Sequence, residues 1–411
     1  MSDQAWLSAP VGIDAQRWLT RSGCRSVLVA VHTITTGHRL LDVVDHVESD
    51  RRVQVVFTVA PDVFNQTVPE YLQQLGALVL PWEQAVRERF DLALAAAHGG
   101  LSALHAPLMV MAHGAGHAKS TLPPQSGGPV LATPPVYGLD AARLIRDGRV
   151  LASALLLAHN SEREVLGRQC PQALPTAVVI GDPCYDRLMA SLPARDRYRR
   201  ALGVRADQEL IVVCSTWGRD GLFGRAPDLL HRLMNQLPSS RYRIGALLHP
   251  AVWAAHGTRQ VRAWMRDCCA AGLILLSPME DWRTMVIAAD RVIGDHGSVT
   301  AYAAALGQPV LCLDAVPSTV VAAATAQRLV RSQAARLDPA RALPPQLRTA
   351  RPLDLAAIRA ALTSRPGRSA ALIRREIYRL LRLSEPAQPR PPSWVPAPAA
   401  YQGGAAQCRA A

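Results

Sequence analysis

Residues 291–313 read RVIGDHGSVTAYAAALGQPVLCL, and the fold turns on how that run divides. Val292 and Ile293 are apolar, and the chain then stops at Gly294-Asp295-His296-Gly297. Ser298-Val299-Thr300 opens a segment of helix formers, residues 301–306, which Gly307 ends. A second apolar run, 309–313, follows. Strand, tight polar turn, helix and strand make one βαβ unit. Gly294 and Gly297 allow the backbone to pass close to a ligand, and Ser298 is placed to cap the helix. The N–H groups of such a helix start face any anion at the carboxyl end of the strands, and a diphosphate fits that description.

The same alternation extends outward on both sides. Strands are expected at 210–214 (LIVVC), 242–248 (YRIGALL) and 273–276 (LILL), with helices at 226–236, 260–271 and 282–289. Their polar tips are Ser215-Thr216-Trp217-Gly218, His249, Ser277, Asp295 to Ser298, and Asp314, all on one sheet edge. In the first half, strands are expected at 26–32, 53–59, 77–80, 91–97 and 108–112, with helices at 38–46 and 68–75. The last of these strands ends in His113-Gly114-Ala115-Gly116-His117-Ala118-Lys119-Ser120. Ligands of open parallel sheets bind at that carboxyl edge, so His113, Gly114, Gly116, His117 and Lys119 are read as one cluster. The spacing of His113 and His117 suits a metal pair on a helix. Two glycines between them argue against a helix, no carboxylate or thiol is near in sequence, and no metal is expected.

At 411 residues the chain is too long for one ordinary core, and two domains are expected. No apolar run reaches the ~18 residues of a membrane span. The first residues lack the basic start and apolar core of a signal peptide, and the scattered cysteines fit a reducing cytoplasm. The formal charge of +13 suits an anionic substrate or an acidic membrane surface. The arginines are spread along the chain and aromatics are only 5% of residues, which argues against nucleic acid. Of 45 basic residues only Lys119 is lysine. Composition alone accounts for arginine wherever either cation serves, and the one exception reads either as chance retention or as a position where arginine does not serve.

Two α/β halves of this kind resemble the two-domain GT-B glycosyltransferase fold over roughly residues 22–315. The order of signals is most similar to the CDP-glycerol glycerophosphotransferase family, with nucleotide-sugar 2-epimerases as relatives. The resemblance rests on His113-Gly114 followed by Lys119, on His249-Pro250 at a strand end, on the turn from Asp295 to Ser298, and on Gly307-Gln308-Pro309-Val310-Leu311. The hinge from Gly181 to Asp186 is similar to that of the epimerases. Ala112 stands where the polymerases carry tryptophan, and the late turn departs from both groups.

The fold class expected is therefore α/β, two Rossmann-like domains facing each other across a cleft. The N-terminal, acceptor-side domain spans 22–190 and the nucleotide-donor domain 205–315. A helical segment follows at 316–383, and a Pro/Ala/Gly-rich tail at 384–411 reads as disordered.

The implied function is transfer of a glycosyl or polyol-phosphate group from a nucleotide-diphosphate donor to a hydroxyl acceptor, in which a lipid-linked acceptor is admissible. The alternatives are a 2-epimerase-like enzyme and a non-catalytic nucleotide-binding protein. Catalytic roles fall to His113 as general base, His249 on a phosphate, Asp295 orienting His249 or holding the ribose, and Lys119 as a compact cation. Gly114, Gly116, His117, Thr216, Gly218, Gly297, Ser298 and Thr300 are the substrate-binding candidates. No cofactor is expected beyond the donor itself. The partners expected are a nucleotide-activated sugar or polyol and an acidic membrane surface to which a cytoplasmic protein docks peripherally.

Overall fold

Parallel strands covered on both faces need unbroken apolar runs rather than alternation, and the sequence supplies them. The computed structural model describes residues 6–12, 15–120, 135–313, 321–387 and 393–399. Asp314, most of the loop after Ser120, and tail residues 388–392 and 400–411 lie outside the described residues. The chain forms two units. The first holds Met1–His117, Val130–Cys184 and Thr363–Pro391, and the second Ala118–Pro129, Tyr185–Leu362 and Pro392–Ala411.

The first unit contains β1 (Arg25–Val31), α1 (Ile34–Val44), β2 (Val53–Val59), α2 (Val68–Gln74), β3 (Val79–Leu80), β4 (Leu92–Ala95), β5 (Leu108–Met111), β6 (Ala154–Leu157), α3 (Asn160–Gln169) and β7 (Ala177–Val179). The sheet order is β3-β2-β1-β4-β5-β6-β7, every pair parallel. Helix α1 begins four residues earlier than the sequence suggested, because Thr33 and Thr36 form a capping box. Thr33 Oγ1 accepts the Thr36 N–H (3.2 Å), and Thr36 Oγ1 accepts the Thr33 N–H (2.9 Å).

The second unit contains α4 (Arg195–Ala201), β8 (Glu209–Ser215), α5 (Leu229–Gln236), β9 (Tyr242–Leu248), α6 (Pro250–His256), β10 (Ile274–Leu275), α7 (Arg283–Ala288), β11 (Arg291–Gly294), α8 (Ser298–Ala305), β12 (Val310–Leu313), α9 (Ala326–Gln333), β13 (Ala335–Leu337) and α10 (Leu355–Leu362). Its parallel sheet runs β10-β9-β8-β11-β12-β13. Numbered within the unit this is 3-2-1-4-5-6, the doubly wound order, and the first unit repeats it. In both, strand order reverses beside the first strand: between β1 and β4, and between β8 and β11. Ile211, Val213, Ile244, Ala246, Ile293 and Leu311 put one sheet face of the second unit into a core with α5.

Two segments fall elsewhere than composition suggested. The 316–383 stretch is not one element: α9 and α10 belong to the second unit, and α11 (Ser369–Leu381) to the first. There Tyr378 Oη donates to Asp50 Oδ2 (2.8 Å). Within the Pro-rich tail, Val395 is 2% exposed; its N–H donates to Ser191 Oγ (3.0 Å) and its carbonyl accepts from Tyr198 Oη (2.7 Å). Buried Val395 and Pro398, with hydrogen bonds at Ser384, Ser393 and Val395, hold parts of a stretch whose composition alone reads as unstructured.

Candidate functional site

The carboxyl edge of the second sheet is organised by Asp295, at the tip of β11 and 3% exposed. Its Oδ2 accepts the N–H groups of Thr216 (2.8 Å) and Leu222 (2.9 Å), and its Oδ1 that of Gly297 (2.9 Å). The carboxylate spans the point where strand order reverses and fastens the loop after β8 to the loop after β11. Ser215 Oγ continues the lacing by accepting the Phe223 N–H (2.8 Å). Asp295 thus does not orient His249 as the sequence suggested. Both its oxygens are spent on backbone, because a buried carboxylate is stable only where N–H groups satisfy it.

Three neighbouring readings change with it. Gly297, not Ser298, is the N-cap of α8, and Ser298 is its first helical residue. The N–H groups of Thr216 and Gly297 are bound to Asp295, so a phosphate contact at either residue would use other atoms. Thr300 is 1% exposed, and its hydroxyl faces Gly294, where a Cβ would lie 2.2 Å from Oγ1. That glycine is required by the approach of α8 to β11, and Thr300 is a packing residue. What the edge offers is the start of α8, an eight-residue helix whose first N–H groups lie outside the i→i−4 ladder. Gly218 lies exposed in the β8 loop with φ +84°.

His249 follows β9 and is the N-cap of α6. Its Nδ1 accepts the Ala251 N–H (3.1 Å) and its own N–H donates to the Ser215 carbonyl (3.0 Å). With Nδ1 an acceptor, the proton of the neutral ring is on Nε2, which makes that nitrogen a donor. His296, in the turn after β11, is driven below the ordinary histidine range by burial, against the opposing pull of Asp295.

Lys119 is the main relocation. It lies six residues from His113, yet residues 118–120 belong to the second unit. Lys119 pairs with Val321 in an antiparallel bridge, and the Ala322 N–H donates to the Ala118 carbonyl (2.9 Å). Its Nζ stands 5.1 Å from the centre of the Trp217 ring, which is 42% exposed in the loop after β8. The lone lysine therefore stands in the second unit with the loop after β8 and the turn before α8.

In the first unit, four adjacent strands each lead into a histidine: β1 into His32, β4 into His98, β5 into His113 and β6 into His159. Sequence reading singled out only His113. The repeated strand-then-histidine pattern (AVH, AAH, MAH, LAH) was the signal for the others. His32 is fully buried, and its Nε2 donates to the Gly99 carbonyl (2.8 Å). Burial lowers its pKa, and burial with the charges of His117 and Arg143 takes His98 down to about 3. His113 is exposed, and its Nδ1 lies 3.0 Å from the Ala96 carbonyl. A carbonyl only accepts, so Nδ1 carries the proton and Nε2 the lone pair.

His117, a substrate-binding candidate in the sequence, is 7% exposed. It is buried beside Glu162, with Nδ1 3.5 Å from Oε2, while its N–H donates to Oε1 (2.7 Å). Burial pushes the Glu162 carboxyl up, but the His117 ring and the N–H groups of His117 and Ala158 outweigh it and hold it below its ordinary value. Gly116, at φ +66°, has no room for a side chain: a Cβ there would stand 2.3 Å from Glu162 Oε1. Gly114 supplies a carbonyl to Arg39 Nη2 (2.5 Å). Among the described residues no group of three His, Cys, Asp or Glu is arranged to hold a metal ion. No described helix is long and apolar enough to cross a membrane.

The two parallel sheets define a GT-B-like α/β fold. Solved structures place that fold among known proteins. A variant of the wall teichoic acid polymerase TagF aligns over 88% of this chain and 90% of its own, at 12% identity and a TM-score of 0.59. A TagF structure soaked with CDPG aligns over 87% and 89%, at 12% identity and a TM-score of 0.58. A UDP-GlcNAc 2-epimerase from Neisseria meningitidis bound to UDP-GlcNAc aligns over 87% and 100% at 13% identity, but its TM-score of 0.48 adds nothing to the fold assignment. No family model and no curated protein sequence matches the chain.

Proposed function

We propose that the protein is a transferase that takes a glycosyl or polyol-phosphate group from a nucleotide-diphosphate donor to a hydroxyl acceptor. The observation that carries this reading is the edge of the second sheet. There a helix start, the Lys119 ammonium and a histidine set to donate from Nε2 stand on one doubly wound sheet, beside a carboxylate whose oxygens are already spent on backbone N–H groups. Such a surface suits a diphosphate. Its likeness in fold to TagF, which was soaked with CDPG, supports the donor class.

The roles divide between the units. In the second, α8, His249 and Lys119 bind the donor phosphates and stabilise the charge that grows on the departing phosphate oxygen as its bond breaks. In the first, His113 Nε2 takes the acceptor hydroxyl proton as the new bond to oxygen forms. Asp295 touches no reacting atom; it fixes the two loops.

A thermal-shift panel of CDP-, UDP-, GDP- and TDP-linked sugars and polyols tests this, because a ligand of the native state raises the melting temperature. One nucleotide class should raise it, and the rise should vanish in His249→Ala. A panel without any stabilising member overturns the reading, and turnover of a donor with no acceptor present replaces it with an epimerase.

A further inference from the structure

The His113 loop is held far more firmly than a surface turn needs. Residues 112–117 are fixed at three places. Arg39, from α1, donates through Nη2 to the Gly114 carbonyl (2.5 Å) and through Nη1 to Asp182 Oδ1 (2.9 Å), and both side chains of this pair are buried. Glu162, from the first turn of α3, accepts the His117 N–H (2.7 Å) on Oε1 and the Ala158 N–H (2.8 Å) on Oε2. The His113 ring reaches the Ala96 carbonyl after β4.

Buried charges of this kind add little net stability, since apolar residues of the same volume often do as well. Two of them on one six-residue loop argue for geometry. We propose that Arg39 and Glu162 are positioning residues, which set the His113 loop so that the ring bonds Ala96 through Nδ1 and presents Nε2 as the proton acceptor.

The chain of effect is short. Arg39 fixes the Gly114–Ala115 peptide, one residue past His113, and Glu162 fixes the far end of the turn. Between them Gly116 takes the left-handed conformation that leaves the carboxylate its place. With either end released, the ring can turn from Ala96 and its proton can move to Nε2. The lone pair is then on the wrong nitrogen. This inference rests on His113 as the general base, but the position of its proton can be measured without any substrate.

The experiment is nuclear magnetic resonance of the full chain labelled with 15N-histidine at pH 8, with the His113 signals assigned by their loss in His113→Gln. Wild type should show the Nδ1–H form. An Arg39→Met/Asp182→Leu double variant removes both charges and leaves neither unpaired, and Glu162→Gln removes one of the two carboxylate acceptors. Each should show a mixture with Nε2–H while the fold, read by near-ultraviolet circular dichroism, is kept.

Once a donor and acceptor are in hand, kcat should fall at least ~tenfold, because small displacements of a catalytic group are costly. The KM for the donor should not change. Nε2–H dominant in wild type overturns the proposal before any variant is made. An unchanged Nδ1–H form in the folded variants overturns it as well. If the proton moves as expected and no donor is ever turned over, the positioning stands and the transferase reading is what fails.

Discussion

The two units share a strand order and use it differently. Each has a buried carboxylate at the carboxyl edge that accepts backbone N–H groups from two loops: Glu162 binds His117 and Ala158, and Asp295 binds Thr216, Leu222 and Gly297. Each has a histidine N-cap whose Nδ1 accepts the N–H two residues on: His159 from Ser161 (3.0 Å) and His249 from Ala251 (3.1 Å). The scaffolding is alike, and the side chains set upon it are not. The first edge carries histidines of which His32 and His98 are held neutral by burial, while the second carries a helix start and Lys119. The two edges thus differ in charge, neutral imidazole on the first and a cation on the second. The same carboxylate lacing serves both because it fixes loop shape and leaves the choice of chemistry to the tips.

The largest expected effect breaks the likeness between the two carboxylates. Asp295→Ala leaves three N–H groups without their acceptor, against two for Glu162→Ala, and should cost about 4 kcal/mol against about 3 kcal/mol. Urea unfolding measures both. A cost below about 1 kcal/mol for Asp295→Ala would mean that the loops of the second unit hold themselves.

Acidity separates the units next. His32 and His98 have folded pKa values below the ordinary 6.5, so the unfolded chain binds protons that the folded unit does not. Their contribution is fully present above pH 6.5 and declines as pH falls toward the folded values, by up to ~1.4 kcal/mol per pH unit for each. In the second unit His296 is lowered in this way. Hydrogen exchange at pH 7.5 and 5.5, corrected for the intrinsic rates, should show β1 and β4 losing protection before β8 and β9. The opposite order would refute the assignment of neutral histidines to the first edge.

The smallest effect sharpens the contrast at a single position. Arginine can also stack on Trp217, so Lys119→Arg keeps both the charge and the ring contact. It loses the compact ammonium. We expect kcat/KM to fall ~tenfold, about 1.4 kcal/mol. Full activity would show that charge alone matters there.

Much of the fold was legible because buried parallel strands leave unbroken apolar runs. The run at 242–248 is β9 to the residue, and 210–214 falls within β8. β13, three residues with arginine in the middle, gave no such run. The site was less legible, for physical reasons. Nothing in HGAGHAKS marks that the chain passes from one unit to the other between His117 and Ala118, so residues close in sequence read as one cluster. An aspartate at a strand tip reads as a ligand group, since sequence does not show which backbone N–H groups will surround it. His98 and Glu162 escaped notice because their meaning depends on neighbours fixed only by strand order.

The placement of α11 bears on how the protein is made. The helix packs in the first unit, where Tyr378 meets Asp50 and Arg52 Nη2 donates to the Ser384 carbonyl (2.9 Å). The first-unit sheet is complete once β7 has been translated, but this last helix follows roughly 200 residues later, about 10–40 s at ordinary elongation rates. Until then a nascent first unit has the surface that α11 covers exposed on the ribosome, and residues 185–362 of the second unit are translated during the wait. Amino-terminal fragments that end after β7 should therefore be chaperone clients, and a separately supplied segment carrying α11 should relieve them.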